Sequence, residues 1–244
     1  MRLGATVLGD DRARLGAVLL AVSPFAAVFS MAYSESLFLA LSLGAFLAAE
    51  RDRRAVAGVL LALAALTRLQ GALLLLPLWL VLFVRDGRRL RVSQGWLVLS
   101  PLAGAGFLGY VGWLTGSAGA YGAAQAVWGR GGVGSAASGP PISAGLDLNQ
   151  LVLLATLLVS VFLLVFRRLD RIPWSYALVS LVYVGAVLAS GILESVGRYV
   201  TLAFPNAWIL AGRRASWFRL AWPAVSIALL GVVSLQMFRG FFVP

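Results

Sequence analysis

The chain has 244 residues, 61% of them hydrophobic and only 12% charged, with a mean hydropathy of +0.92. Soluble domains carry about 25% charged residues, so this sequence cannot cover a water-facing surface and takes the bilayer as its solvent. The net charge of +11 comes from twenty arginines without a single lysine, and the absence of Cys and His excludes thiol and imidazole chemistry, disulfides and the common zinc and haem ligands. The long Leu/Ala/Val runs lack the period-two alternation of membrane strands. The expected fold class is therefore all-α, a polytopic membrane protein of about nine transmembrane or half-span helices forming one helical domain over 1–244. The basic charge does not point to nucleic acid, because it is spread over short breaks between apolar runs.

In chain order, Met1 to Arg14 has no small-residue cleavage site and leads into further apolar sequence, unlike a signal peptide. Nine apolar segments follow, at 15–31, 35–50, 54–67, 71–84, 92–114, 149–166, 173–189, 199–212 and 220–238. A full span needs about 20 residues, so the third and fourth are short. Read as one helix they would extend about 45 Å, too long for a hydrocarbon core of about 30 Å. A tight hairpin with Thr67-Arg68-Leu69-Gln70-Gly71 at its tip fits better. Arginine clusters punctuate the runs at 51–54, 85–91, 167–171 and 213–219. The positive-inside rule places them on the cytoplasmic side, with the N-terminus inside and the C-terminus outside. Three polar places then face outward: Tyr33-Ser34-Glu35, a loop at about 115–148, and Glu194 to Tyr199. Trp79, Trp96, Trp113, Trp174, Trp208, Trp217 and Trp222 fall near the expected interfaces, as aromatic belt residues do. No internal repeat, Walker loop or dinucleotide fingerprint is present; Gly129 to Gly134 reads as flexible loop.

The candidate site residues lie at the outward ends. Glu35 is a carboxylate beside a span, which marks function by default; alternatively it is a helix N-terminal acid favoured by the macrodipole, capped by Ser34. Arg68, with Gln70 beside it, is placed to hold a lipid phosphate through paired charge-assisted hydrogen bonds, or to snorkel to water. Arg198 follows Glu194 by four residues, which suits a structural i,i+4 pair or a second phosphate clamp. Gln125, Trp128 and Arg130 combine hydrogen-bonding groups with an aromatic face, as sugar-binding surfaces do, or pack on the membrane surface.

Four stretches carry a resemblance. Pro24 through Phe38, P-F-A-A-V-F-S-M-A-Y-S-E-S-L-F, resembles the central motif of the PIG-V-type (GPI mannosyltransferase 2-like) glycosyltransferases. Ala64 to Gly71, A-A-L-T-R-L-Q-G, is similar to that family's Ala-Arg-x-x-Gly-like hairpin, and Ala124 to Arg130 to its outer-loop A-Q-x-x-W-x-R segment. Gly197-Arg198-Tyr199 through Phe204-Pro205 resembles its late R-Y-x-x-x-x-F-P motif. The resemblance implies a GT-C-like multi-span fold in the cell membrane. It implies transfer of mannose from a polyprenyl-phosphate donor to a lipid or glycan acceptor on the non-cytoplasmic face, with inversion at the sugar carbon and no assigned cofactor. Within that reading Glu35 is taken as the catalytic carboxylate, for the base, sugar or acceptor contact. Tyr33, Ser34, Arg68, Gln70, Gln125, Trp128, Arg130, Glu194, Arg198 and Tyr199 become the substrate-binding set. Family members also carry an acidic motif in a first outer loop, after an earlier span, whose Asp is the general base that the resemblance implies; the early acids here, Asp10 and Asp11, fall on the expected cytoplasmic side. The chain is thus expected to correspond to the C-terminal part of such an enzyme. The competing readings are a membrane transporter or lipid flippase, and a non-catalytic membrane subunit.

Overall fold

A computed structural model describes residues 1–31, 33–127, 154–155, 157–162, 165, 172–190, 196–212 and 216–239. Every regular element among them is helical. In chain order they are α1 (Arg2–Leu8), α2 (Asp10–Ala21), α3 (Glu35–Glu50), α4 (Arg54–Thr67), α5 (Leu75–Arg85), α6 (Leu99–Thr115), α7 (Ala120–Val127), α8 (Trp174–Ser190), α9 (Val196–Leu202), α10 (Pro205–Ala211) and α11 (Ser216–Phe238). Short 3-10 stretches occupy Ala26–Phe29, Leu69–Leu74 and Val92–Val98. The chain divides into two compact units, one of Ser36–Gly139 and one of Met1–Glu35 with Pro140–Pro244.

In the Ser36–Gly139 unit, α4 is the central helix. Its buried residues are Ala57, Gly58, Leu61, Ala64 and Ala65, a spacing that marks one helical face. Four of the five are small, so α6 and the Val92–Val98 stretch pack directly against it. The approach is closest at Gly58, where a Cβ would collide with the carbonyl oxygen of Trp96. The opposite face presents Val56, Val59, Leu63 and Leu66, all exposed. Helix α6 is inverted relative to a soluble helix in the same way. It buries Ser100 and Gly104 and exposes Leu102, Leu108, Tyr110, Trp113 and Leu114. Large apolar groups outside and small or polar groups inside is the pattern that a lipid solvent favours. Two helical stretches, Val92–Thr115 and Ala221–Phe238, are long and apolar enough to cross a membrane.

The expected hairpin is present. Helix α4 stops at Thr67, and Arg68 turns extended at φ −151° and ψ 127°. The returning chain then lies on the end of α4. A Cβ at Gly71 would sit 2.5 Å from the Ala65 amide nitrogen, so only glycine permits the turn. At the other end of the hairpin Arg54 fastens the two arms. Its Nη2 donates to Asp86 Oδ1 at 2.7 Å, its Nη1 to Ser93 Oγ at 2.6 Å and its Nε to Asp52 Oδ1 at 2.8 Å. Gln94 Nε2 donates to the second Asp86 oxygen at 2.7 Å. The arginine-rich break is therefore a structural knot as well as a charge cluster. The expected loop at 115–148 contains a helix, α7, whose Tyr121 ring meets Phe107 of α6 edge-on at 6.0 Å.

In the other unit the first apolar segment, 15–31, is not one helix. Helix α2 begins at Asp10, because Asp10 and Asp11 in its first turn complement the helix dipole. It ends at Ala21, just before Pro24, which disfavours helix in the residue before it. The segment at 199–212 is likewise split into α9 and α10, with Pro205 in the first turn of α10. Trp208 is not a belt residue. It is 6% exposed and packs against Tyr176 at 5.2 Å and Phe204 at 5.0 Å. Gly4 and Gly16 make room for its indole, since a Cβ at Gly16 would lie 3.0 Å from Trp208 Cδ1. Helix α10 docks on α2 through Leu19, Ala207 and Ala211.

The Arg54 knot has a pH signature. Burial of Asp86 acts to raise its pKa, but hydrogen bonds from Gln94 and Arg54, with the charges of Arg54 and Arg91, hold the carboxyl below its usual range. A folded pKa below the unfolded one stabilises the protein above the unfolded value of about 3.9 and is lost as pH falls through the folded value. Asp86→Asn should therefore lower the melting temperature in detergent at pH 7. It should also flatten the fall in stability below pH about 4.

Candidate functional site

The first and last of the four motif stretches meet in the Met1–Glu35 and Pro140–Pro244 unit. The contact that brings them together is between Phe25 and Gly197. Phe25 is 1% exposed, and a Cβ on Gly197 would overlap its ring. A glycine at the start of α9 thus lets the aromatic ring seat against backbone, and the chain that follows Phe25 runs on towards Glu35. The hydroxyl of Thr201 donates back to the Gly197 carbonyl at 2.7 Å, closing the turn from inside.

Glu35 is the first residue of α3, where a carboxylate is favoured by the helix dipole. It is fully buried. Arg198, one residue after the seated glycine, approaches it with Nη1 at 3.6 Å from Oε1. At that separation the contact is an ion pair rather than a hydrogen bond. The guanidinium carbon also lies 5.3 Å from the centroid of the Tyr33 ring, within cation–π range. Tyr33 is 38% exposed and the Arg198 side chain 15% exposed. The arginine is therefore steadied by a buried carboxylate and by an aromatic face that reaches the surface. A guanidinium held in a fixed orientation is suited to an oxyanion such as phosphate, because its donors form a planar fork.

The remaining sequence candidates are placed as follows. Ser34 is half-buried just ahead of Glu35. Tyr199 is 8% exposed, and its ring faces Tyr183 at 6.4 Å, so it supports the packing of α9 on α8. Arg68 and Gln70 stand half-buried at the hairpin tip, and Gln125 half-buried on α7, all three in the Ser36–Gly139 unit. Trp128, Arg130 and Glu194 lie outside the described residues. Among the described residues, no group of three or more acidic side chains is arranged to hold a metal ion.

Sequence reasoning placed Glu35 and Arg198 with Arg68 at one outward face, but did not make Glu35 and Arg198 an ion pair, since it sought a partner for Arg198 within four residues; Arg68 belongs to the Ser36–Gly139 unit. It also passed over Phe25 and Gly197. The signal was present in the small residue directly before a charged one at the start of an apolar helix. No family model matches the chain, nor does any curated protein or solved structure. The resemblance to the PIG-V-type enzymes rests on the four motif stretches alone.

The pairing predicts an energetic coupling. Removing one partner of a buried ion pair costs roughly 3–5 kcal/mol, because the other charge stays buried uncompensated. Arg198→Met should be strongly destabilising in detergent, and adding Glu35→Gln should recover part of the loss. Unfolding free energies of the two single variants and the double variant measure this directly. If the two effects simply add within about 0.5 kcal/mol, the two side chains are not partners.

Proposed function

We propose that the chain is a membrane-embedded sugar transferase of the polyprenyl-phosphate type, with mannose the sugar that its motifs suggest. The observation that carries this reading is the junction of Tyr33, Glu35 and Arg198, which unites two motif stretches from opposite ends of the sequence. In this chemistry an acceptor hydroxyl attacks the anomeric carbon, the bond from that carbon to the phosphate oxygen breaks, and polyprenyl phosphate leaves. The transition state is oxocarbenium-like. A base takes the hydroxyl proton, and cations offset the charge that develops on the departing phosphate.

Arg198 is the phosphate contact in this proposal, with Tyr33 as the exposed wall beside it. Because Glu35 is fully buried, it serves in this proposal as a positioning residue that fixes the arginine rather than as the catalytic carboxylate. Arg68 and Gln70 at the hairpin tip supply a second polar contact for donor or acceptor. Nine spans or half-spans would place this site on the non-cytoplasmic side, with the N-terminus and the arginine clusters in the cytoplasm.

Donor binding tests the site without requiring turnover. In nanodiscs, Arg198→Ala should weaken binding of polyprenyl-phosphate-mannose by roughly 10-fold or more, the scale of one charge-assisted contact. Arg198→Lys should lie between that variant and wild type, because it keeps the charge but loses the fork. Equal affinity of the three proteins would remove Arg198 from the site.

Topology is tested independently, and cleanly, because the chain has no Cys. A single cysteine at position 89 should react with an impermeant maleimide only after the membrane is opened, and one at position 33 should react in intact cells. The reverse pattern would invert the proposed orientation.

A further inference from the structure

Three helix ends of the Ser36–Gly139 unit come together at its arginine-rich breaks. Arg54, at the start of α4, reaches Asp86 just beyond α5. Arg85, the last residue of α5, reaches Glu50, the last residue of α3, at 3.4 Å. The stretches 50–54 and 85–91 together carry seven arginines against three carboxylates, Glu50, Asp52 and Asp86. Each carboxylate is already engaged: Glu50 by Arg85, Asp52 by Arg54, and Asp86 by Arg54 at 2.7 Å and Arg91 at 3.4 Å. Arg51, Arg53, Arg88 and Arg89 are exposed and form no ion pair among the described residues. This end of the unit therefore carries four positive charges in excess.

The backbone that carries these arginines is set by hydrogen bonds. Helices α3 and α5 close in the same way. The Arg53 amide donates to the Ala48 carbonyl across Asp52 at φ 58°, and the Arg88 amide donates to the Phe83 carbonyl across Gly87 at φ 66°, both at 2.8 Å. This is the closing bond of a left-handed helix cap. Arg88 is itself left-handed at φ 63°, a conformation that a residue with a side chain seldom takes. Beyond that reversal Arg89, Leu90 and Arg91 are all exposed.

Apolar side chains are interleaved with the charges. Leu90 is 76% exposed and Val92 fully exposed. The helical stretch Val92–Thr115, long and apolar enough to cross a membrane, begins at this point. The basic end thus falls where head groups meet hydrocarbon. A nucleic acid or an acidic peptide would answer the charge but leave Leu90 and Val92 in water. A bilayer containing anionic lipids answers both, with head-group phosphates against the guanidinium groups and the acyl boundary against the apolar side chains.

We propose that Arg51, Arg53, Arg88 and Arg89, with Leu90 and Val92, form a binding surface for the head groups of anionic phospholipids. The surface rests on the Val92–Thr115 stretch crossing a membrane. It depends neither on the transferase reading nor on which side of the membrane it faces.

Two photoreactive lipids with the same diazirine-bearing acyl chain, a phosphatidylglycerol and a phosphatidylcholine, test this with the full chain in phosphatidylcholine nanodiscs. The phosphatidylglycerol should label residues 84–96 more strongly than the phosphatidylcholine, and unlabelled phosphatidylglycerol should compete. The preference should shrink at high salt, as it does for exposed charges. Arg88→Gln combined with Arg89→Gln should lower labelling by subsaturating phosphatidylglycerol roughly 25-fold, about fivefold for each charge, and leave labelling by phosphatidylcholine unchanged. Both side chains are exposed and outside the Arg54 contacts, so this variant should melt at the wild-type temperature. Arg88→Lys combined with Arg89→Lys keeps the charges and should retain most of the labelling, which a purely structural role for the two arginines would not allow. Equal labelling by the two lipids, insensitivity to the Gln pair, or equal loss in the Lys and Gln pairs would each overturn the proposal. Displacement of the probe by an oligonucleotide but not by unlabelled phosphatidylglycerol would overturn it in favour of nucleic acid.

Discussion

Arginine–carboxylate contacts fasten both units of this chain, and the remaining packing is arranged around them. In the Ser36–Gly139 unit Arg54 reaches Asp52, Asp86 and Ser93 at once, so the start of α4, the end of α5 and the Val92–Val98 stretch all converge on one guanidinium. In the other unit Arg198 meets the buried Glu35 and the ring of Tyr33. In an apolar solvent, burying another leucine gains little, whereas a directional polar contact specifies which helices meet.

The two arginines are nevertheless suited to different tasks. Arg54 has its Nε and both terminal nitrogens in hydrogen bonds of 2.6–2.8 Å. All three of its nitrogens are engaged, and its carboxylate Asp86 is further satisfied by Gln94. Such an arrangement holds a hairpin closed. Arg198 makes a longer contact, 3.6 Å, with one carboxylate oxygen, and stands beside an aromatic ring that reaches the surface. That geometry orients a cation beside an exposed ring, which is why the functional proposal is attached to Arg198.

Small residues set how closely the helices approach. Gly58 admits the Trp96 backbone, Gly71 admits the return of the hairpin, Gly197 admits the Phe25 ring, and Gly4 and Gly16 admit Trp208. Each is a place where one methyl group would displace an element. Dispersion between closely packed surfaces, rather than expulsion of water, is what such contacts contribute in lipid.

The sequence by itself determined the all-helical character of the chain, the hairpin at Thr67–Gly71 and the identity of the charged residues worth watching. These follow from local facts: the length and period of apolar runs, the cost of a charge beside a span, and the reach of a helix relative to the bilayer. Glu35 and Arg198 were legible one at a time for that reason. The sequence put both at one outward face; what only the tertiary structure decided was their direct ion pair, because a contact between residues so far apart in the chain is set by how the intervening helices pack, and local periodicity carries no record of that. Helix breaks before Pro24 and Pro205 were readable in principle, but hydropathy averages over them and merged each into a longer segment. Trp208 shows the same limit. An indole near the end of an apolar run reads as an interfacial anchor, and only the glycines opposite it, Gly4 and Gly16 on other helices, turn it into core.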